Sequence, residues 1–377
     1  MSLLSIIIPF RQGKGEPGGL EQLKRTLACL LRHQVFEVLL FDVGSVAIPA
    51  SIIDSFCPDN LRYLHRPDLE LDGWGKIYNS AVTEATGRYI LLFEARLLAS
   101  DTFIANLPEQ VKLFDKEGGN AFALYPVLKR SLSNASDGFE KAGTHGYQQA
   151  CFTEALTTYL EGKSDPVEAI SLTNGPLLIR RHWFLALGGF RESFIGHEAA
   201  QLDLLHRLAA YYPVGKKPDD YVLDVDSPFP GDYLGFRRYY SFYSLPALFK
   251  GYFCVCQAGE KQHSESEWEK DKAFFYEILA SGAAGCRSLN LENIKASSEL
   301  GRYLLQRSFD SKEELPSLVE YIQGLMVESD YNPVDYPGLF YRGNNKRKGT
   351  ATEASFSSRL LKFFRKHTGF LKSTKMP

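Results

Sequence analysis

The chain has 377 residues, of which 44% are hydrophobic and 23% are charged, and its formal net charge is −2. This length allows two domains, or one large domain with additions, and the near-neutral charge excludes a strongly basic nucleic-acid-binding protein. Its 20 Tyr and 26 Phe indicate either a large core or aromatic side chains that stack on sugars or bases.

From residue 3 to residue 93, short apolar runs alternate with segments of helical spacing. The pattern predicts strands at residues 3–8, 36–41, 61–64 and 89–93, and helices at residues 20–32, 52–56 and 78–86. Such alternation is typical of a parallel, doubly wound sheet, whose ligands bind beyond the carboxyl ends of the strands. The polar residues at those ends are therefore candidate ligand contacts: Arg11, Asp42, Arg66, Glu94 and Arg96.

Beyond residue 100 the pattern is mostly helical. Strands are predicted at residues 121–128 and 177–180, and residues 131–146 and 330–352 are expected to form a loop and a linker. Helices are predicted at residues 103–114, 150–160, 182–187, 199–211, 264–279, 291–307 and 313–327, with a turn at residues 188–190.

The carboxyl-terminal segment is strongly basic. From Arg342 onward there are about ten Lys or Arg residues and a single acidic residue, Glu353. Apolar residues recur at helical spacing from Phe356 to Phe364, with basic residues between them. This pattern is typical of an interfacial helix on an anionic membrane surface, although a solvated tail or a helix docked on the body fits it too.

The number and spacing of the cysteines indicate the cellular compartment. The six cysteines are dispersed, and the C-x-C pair Cys254 and Cys256 alone is not a zinc site. Dispersed cysteines in a chain of this length favour a reducing cytoplasm. The first ten residues lack a basic leader and a cleavage site, and no run of about 20 apolar residues predicts a membrane span.

Several segments, taken in order, resemble the GT-A, family 2-like glycosyltransferases of bacterial capsule biosynthesis over roughly residues 3–275. The opening strand at 5–10, Asp-Val-Gly-Ser at 42–45 and the stretch from Lys76 to Ile90 are similar to the first half of that family. Four later segments and His263 resemble the second half of that family. The segments are Asn-Gly-Pro at 174–176, Gly-Gly-Phe-Arg-Glu at 188–192, Asp-Leu-Leu-His-Arg-Leu at 203–208 and Tyr-Leu-Gly-Phe-Arg at 233–237.

The resemblance implies an α/β fold of the GT-A type, which is Rossmann-like, with a mostly parallel sheet, helices on both faces and here a C-terminal helical extension. It implies a nucleotide-sugar donor, a glycan or lipid-linked glycan acceptor, and inversion at the anomeric carbon. On this basis residues 1–280 are the transferase domain, with a nucleotide-binding half at 1–100 and an acceptor-side half at 101–280. Residues 281–328 are a helical extension, 329–354 a linker and 355–377 a basic tail helix that places the protein peripherally on the inner membrane face.

The metal motif departs from the family pattern. Where the family has Asp-x-Asp, whose second Asp holds a divalent cation against the donor diphosphate, this chain has Glu94-Ala95-Arg96. Arginine cannot ligate a metal, but it binds phosphate through two N–H groups at once. Either Glu94 and His263 hold Mn²⁺ or Mg²⁺, or Arg96 replaces the metal, or Arg96 is a surface side chain beside a degenerate loop.

The general base also departs from the pattern. The family's Glu-Asp pair falls on Ala200-Gln201 here, and glutamine cannot accept a proton at neutral pH. Glu198 is the substitute candidate, and its alternative role is a carboxylate stabilised by a helix amino terminus. Asp203, one turn along, is a second catalytic candidate for which a structural role is favoured.

Further donor-binding candidates come from the same segments: Pro9, Arg11, Arg66, Lys76 and Asn79. Val43 replaces the family's second Asp, so Asp42 either accepts a hydrogen bond from ribose or base, or closes a turn. His263 is expected to contact metal or phosphate, or to be structural.

Because three motifs are altered together, a second hypothesis is a pseudo-glycosyltransferase that acts as a binding or assembly subunit. A phosphate-transferring or CMP-sugar-using relative is a third, since it also needs no metal.

Overall fold

The computed structural model describes residues 3–11, 18–32, 36–44, 47–48, 50–56, 59–67, 73–116, 122–130, 149–225, 227–257, 265–281 and 314–341. The chain divides into two units, of which the first spans residues 1–341 and the second, residues 342–377, lies outside the described residues. The predicted helix at 291–307, the predicted tail helix at 355–377 and the predicted loop at 131–146 also lie outside them.

The amino-terminal part follows the predicted strand and helix alternation. Strands β1 Leu4–Phe10, β2 Glu37–Asp42, β3 Leu61–His65 and β4 Tyr89–Leu92 alternate with helices α1 Gly18–Leu30, α2 Ala50–Asp54 and α3 Trp74–Glu84. β1 is buried along its whole length, as expected of a strand covered on both faces. The boundaries differ from the predicted ones by a few residues.

Next come β5 Leu98–Ala99, α4 Asp101–Lys116, β6 Phe122–Leu124, β7 Val127–Arg130, α5 Gln149–Leu160, β8 Val167–Ser171, β9 Leu177–Arg180 and α6 Arg181–Ala186. They are followed by α7 His197–Tyr211, β10 Asp224–Val225, a 3-10 turn at Pro230–Asp232, α8 Gly235–Phe249, β11 Cys254–Gln257, α9 Glu265–Ala280, α10 Leu318–Glu328 and a 3-10 turn at Pro337–Leu339.

The central sheet has six strands in the order β3-β2-β1-β4-β9-β6. β1 pairs in parallel with β2 and β4, and β2 pairs in parallel with β3. β9 runs antiparallel to both β4 and β6. The predicted mostly parallel α/β sheet is therefore confirmed, and the carboxyl ends of β1 to β4 share one edge.

A second sheet was not predicted. It has the order β5-β11-β7-β8, and β7 pairs in parallel with β11 and antiparallel with β8. The single strand predicted at 121–128 was wrong, because the chain changes sheets at Tyr125 and Pro126. Proline has no N–H to donate to a ladder; here its carbonyl accepts from Cys254 N at 2.9 Å while Tyr125 N donates to Pro176 O at 3.0 Å.

Two helices differ from the sequence expectation. α8 was not predicted because twelve of its fifteen residues are buried, which leaves no polar face to give it a period. α10 begins at Leu318 rather than near residue 313. Ser317, which follows Pro316, is its N-cap. The Ser317 Oγ accepts from Glu320 N, and the Glu320 carboxylate accepts from Ser317 N.

In the described ranges no helix is long and apolar enough to cross a lipid bilayer. Four cysteines lie in those ranges, namely Cys29, Cys151, Cys254 and Cys256, and all are free thiols. Cys29, Cys254 and Cys256 are buried.

Candidate functional site

The loop that follows β4 carries an ion pair at the carboxyl edge of the sheet. Arg96 Nε donates to Glu94 Oε2 at 2.8 Å, and Glu94 Oε1 lies 3.7 Å from His197 Nδ1. A hydrogen bond from Leu97 N to Glu94 O closes the backbone turn that carries Glu94 and Arg96. The Glu94 side chain is 13% exposed and that of Arg96 is 31% exposed. The guanidinium is therefore held by the carboxylate and still reaches solvent.

Charge, rather than burial, sets the protonation of this pair. Burial works against ionised Glu94, but the charges of Arg96 and His197 and the bond from Arg96 hold its pKa below the ordinary value. The carboxylate of Glu94 in turn raises the pKa of Arg96, against the effect of burial. Lys129, an exposed residue of β7, adds positive charge near Glu94. The loop therefore presents one cation, Arg96, which stays paired with an ionised Glu94.

His197 connects this loop to the second half of the domain, and sequence reasoning missed it. Its ring stacks on Tyr78 with centroids 5.0 Å apart and meets the edge of Phe190 at 5.8 Å. Tyr78 comes from α3 and Phe190 from the turn before α7. Because these partners are more than a hundred residues apart, no local pattern in the sequence could pair them.

Glu198 lies in the first turn of α7, directly after His197. Its Oε1 accepts from Arg237 Nη2 at 3.1 Å, and its side chain is 33% exposed. Asp271 of α9 fixes the start of this helix, since its carboxylate accepts from Ile195 N at 3.1 Å and Gly196 N at 2.6 Å. The candidate base thus stands next to the residue that contacts Glu94.

Asp203 lies in a different environment. It is fully buried, and it accepts from Arg191 Nε at 2.8 Å and from Arg207 Nε and Nη2 at 2.9 and 2.7 Å. Arg207 also donates to the carbonyl oxygens of Leu187 and Gly189. This geometry favours the structural role for Asp203. Gln201 is likewise buried and donates to Gly175 O at 2.8 Å.

Asn79 holds the same turn from the other side. Its Nδ2 donates to Phe190 O and its Oδ1 accepts from Phe190 N, both at 2.9 Å. Both groups of the amide are therefore engaged by one residue's backbone. These contacts favour a role for Asn79 in joining α3 to the turn, rather than in touching a donor.

Asp42 and Arg66 also have protein partners. The Asp42 carboxylate is fully buried and accepts from Gly44 N at 2.9 Å, Tyr63 Oη at 2.8 Å and Ile48 N at 3.2 Å. It closes the turn after β2, which favours the turn interpretation. Arg66 pairs with Glu84 at 3.3 Å.

The other donor-binding candidates fall at the same edge or outside the described residues. Pro9 is buried near the end of β1, and Arg11 follows that strand and is exposed. Lys76 is half-buried in the first turn of α3. His263 lies outside the described residues.

The described residues do not fit a divalent metal at this edge. Mn²⁺ and Mg²⁺ require several oxygen or nitrogen ligands, and the described ranges contain no group of three or more His, Cys, Asp or Glu side chains that could hold a metal ion. Arg96 already lies 2.8 Å from Glu94 Oε2. A cation bound to that carboxylate would meet a fixed positive charge.

An open α/β sheet of this kind binds its ligands beyond the carboxyl ends of the strands, which is where Glu94 and Arg96 lie in this chain. The chain belongs to the glycosyltransferase-like family 2, whose model matches residues 5–279. The protein is therefore a glycosyltransferase, and the resemblance found in its sequence is confirmed at the level of that family. Among curated protein sequences, none matches the chain significantly.

Several solved structures share a weak overall similarity. The mannosyltransferase PcManGT from Pyrobaculum calidifontis, solved with GDP-Man and Mn²⁺, is 12% identical with a TM-score of 0.39, covering 96% of this chain and 80% of that one. TarS 1–349 from S. aureus is 13% identical with a TM-score of 0.34, covering 78% and 76%. Glucosyl-3-phosphoglycerate synthase from Mycobacterium tuberculosis, solved with Mn²⁺, UDP-Glc and phosphoglyceric acid, is 12% identical with a TM-score of 0.35, covering 77% and 82%. At these scores the similarity carries no argument about the ligands of this chain.

Proposed function

We propose that this enzyme moves a sugar from a nucleotide-sugar donor to a glycan acceptor, with inversion at the anomeric carbon. The observation that carries the proposal is the contact between the two halves of the domain. Glu94, which holds Arg96, lies 3.7 Å from His197, and Glu198 is the next residue in the chain. Arg96 and the residue that precedes Glu198 therefore meet at Glu94, which supports a cation for phosphate and a carboxylate for a hydroxyl proton acting in one site.

On the donor side, Arg96 offsets the negative charge that develops on the leaving phosphate. A guanidinium pairs with phosphate through two parallel N–H groups, and a preorganised positive charge at a leaving group lowers the barrier. Glu94 holds the Arg96 side chain in place by accepting a hydrogen bond from its Nε. The mechanism we propose runs through Arg96, because its guanidinium already pairs with Glu94, whereas the other expected metal ligand, His263, lies outside the described residues.

On the acceptor side, a hydroxyl of the glycan gives its proton to the Glu198 carboxylate as its oxygen bonds to the anomeric carbon. The bond from that carbon to the donor phosphate breaks, and the nucleoside phosphate leaves with its electron pair. Attack from the face opposite the phosphate inverts the configuration. Glu198 Oε1 accepts from Arg237, whereas Glu198 Oε2 has no hydrogen-bond partner among the described residues. Oε2 is therefore the oxygen that takes the proton.

We further propose that the acceptor is a growing capsule or surface glycan, free or lipid-linked. The support is the resemblance of residues 3–275 to capsule enzymes and the basic amphipathic pattern of residues 355–377. That pattern favours a cytoplasmic protein held peripherally on an anionic membrane. The pseudo-enzyme remains a second candidate, favoured by Val43, Arg96 and Gln201 at altered motif positions.

Glu198→Gln tests the proposed chemistry. Turnover of UDP-GlcNAc, UDP-Glc and GDP-Man is followed by nucleotide release, with a surface-glycan extract or water as the acceptor. We expect the variant to lose roughly 10²–10⁴-fold in turnover, the usual contribution of a general base, with unchanged donor affinity by calorimetry. Glu192→Gln, at an exposed position in the turn before α7, is the matched control. Normal turnover in Glu198→Gln would remove Glu198 as the base, and a wild type that binds donors without turnover would favour the pseudo-enzyme.

A further inference from the structure

The segment Tyr-Leu-Gly-Phe-Arg at 233–237 places a buried arginine beside Glu198. Gly235 has a φ of 65°, and a Cβ built there would lie 1.9 Å from Leu223 O. The chain therefore needs glycine where α8 starts against the short strand β10. Phe236 N donates to Leu223 O at 3.3 Å, and Arg237 follows in the first turn of the helix.

Among the residues that the structure describes, Arg237 contacts two carboxylates. Its Nη2 lies 3.1 Å from Glu198 Oε1, and its Nε donates to Asp224 Oδ1. Its Nη1 reaches Thr173 Oγ1 at 3.5 Å. Lys272 Nζ lies 3.5 Å from the second oxygen of Asp224. The guanidinium therefore joins Glu198, Asp224 and Thr173, and Lys272 is linked to this network through Asp224.

Burial separates the two ends of this network. Arg237 and Asp224 are 5% and 4% exposed, whereas Glu198 is 33% exposed. A buried guanidinium needs compensating charge, and Asp224 provides it from the inner side. Asp224 therefore anchors the guanidinium, and Glu198 is the end of the network that faces the site.

We propose that Arg237 is a positioning residue for the transfer reaction: it fixes Oε1 of Glu198, leaves Oε2 directed to the acceptor, and is itself fixed by Asp224. This inference rests on the proposed function of Glu198 as the base. Orientation of a reacting group within about 1 Å matters, since misplacement by that distance costs roughly 100-fold in rate. Neither the glycosyltransferase family match nor the altered motifs assign such a role to Arg237.

The test avoids leaving Asp224 as an unpaired buried charge. Asp224→Asn alone is compared with Asp224→Asn/Arg237→Gln, which removes both charges of the buried pair. A lysine variant, Asp224→Asn/Arg237→Lys, restores one contact. The matched control is Arg238→Gln, the next residue of α8, which pairs with Asp220 at 3.0 Å and is 25% exposed. Circular dichroism and thermal unfolding show which variants remain folded.

Turnover of UDP-GlcNAc, UDP-Glc and GDP-Man gives kcat and the donor KM for each variant. We expect Asp224→Asn/Arg237→Gln to fall up to about 100-fold in kcat below Asp224→Asn, with the donor KM within about twofold, and Asp224→Asn/Arg237→Lys to recover part of the loss. Arg238→Gln keeps the wild-type kcat.

The decisive comparison is made in a Glu198→Gln background. If Arg237 acts through Glu198, Asp224→Asn/Arg237→Gln causes no further loss there, because residues that act as a unit are not additive. A further loss of the same size, or a rise in donor KM without a change in kcat, would overturn the positioning role. A wild type that binds none of the three donors would instead overturn the proposed function, and this inference with it.

Discussion

Two carboxylates of α7 show how environment separates roles that a motif does not. Asp203 is fully buried between Arg191 and Arg207, while Glu198 is one-third exposed and has one described partner, Arg237. Breaking a buried ion pair costs about 3–5 kcal/mol, so Asp203 contributes chiefly to stability. A carboxylate with one open oxygen is the one suited to accept a proton.

Residue types and spacing pointed to Glu94, Arg96 and Glu198, whose roles in the site stay predictions. They were not enough to find His197, Arg237 or Lys129, because each of these acts through a partner far along the chain. Arg237, for example, meets Glu198 across 39 residues and Thr173 across 64. Turn closure was one of two alternatives for Asp42, but the sequence could not show that Asn79 binds the backbone of Phe190, since those bonds exist only in the folded turn.

His206 gives a prediction at the level of one residue. Burial, together with the charges of Lys217, Arg207 and Arg191, lowers its pKa to about 4. Unfolded histidine has a pKa of about 6.5, so below that pH the unfolded state binds the proton more readily and the protein loses stability. The loss grows as the pH falls towards 4 and then stops.

His206→Gln is therefore expected to remove part of the acid sensitivity. Between pH 7 and pH 4.5 the wild type should lose roughly 2–3 kcal/mol of unfolding free energy through this group, and the variant should not. Urea unfolding at the two pH values measures the difference. His182→Gln, at an exposed position, should behave as the wild type; an equal pH effect in His206→Gln and the wild type would contradict the assignment.

At the scale of elements, the turn between α6 and α7 holds three parts of the domain together. Arg207 of α7 donates to the carbonyls of Leu187 and Gly189, and the Asn79 amide of α3 forms two hydrogen bonds with the backbone of Phe190. The turn thereby fixes the two helices that carry Tyr78 and His197. The family segments at 79, 188–190 and 203–207 are explained by this arrangement.

The two glycines of this turn make a matched pair of tests. Both have positive φ, 82° at Gly188 and 63° at Gly189, but a Cβ at Gly188 meets nothing within 4 Å. At Gly189 it would lie 2.4 Å from Asn79 Oδ1. Gly188→Ala should cost about 1–2 kcal/mol from backbone strain alone. Gly189→Ala should cost a further 1–3 kcal/mol, because Asn79 must give up its bonds to Phe190.

Chemical denaturation of the two variants measures this difference, with Asn79→Ala as a third variant. If Asn79 is the obstacle, Gly189→Ala costs less in the Asn79→Ala background than in the wild type. Equal stability of Gly188→Ala and Gly189→Ala would show that the hydrogen bonds between Asn79 and Phe190 do not hold the turn.

Elements with a clear period were predictable, and the others were not. β1 to β4 and their helices repeat apolar runs that are visible locally. The second sheet is assembled from strands of two to five residues at 98–99, 127–130, 167–171 and 254–257, and such short segments gain their identity only from pairing. α8 is buried nearly all round, so it lacks the polar stripe that marks a helix in sequence.

For the whole molecule, the proposed function depends on how a nucleotide sugar's phosphates are neutralised. The loop after β4 carries Arg96, which is held by Glu94, and Glu94 also lies 3.7 Å from His197 of α7. We propose that Arg96 supplies the positive charge where the resemblance of the sequence implies a metal.

Calorimetric binding of UDP-GlcNAc, UDP-Glc and GDP-Man, with Mn²⁺ and with a chelator, tests this claim most directly. We predict that at least one donor binds equally well in both conditions, and that Arg96→Ala weakens it about 10- to 100-fold, the equivalent of one charge-assisted contact. Arg88→Ala, which removes an exposed arginine at the opposite end of β4, should bind as the wild type does. Loss of binding on chelation, or unchanged affinity in Arg96→Ala, would contradict the account.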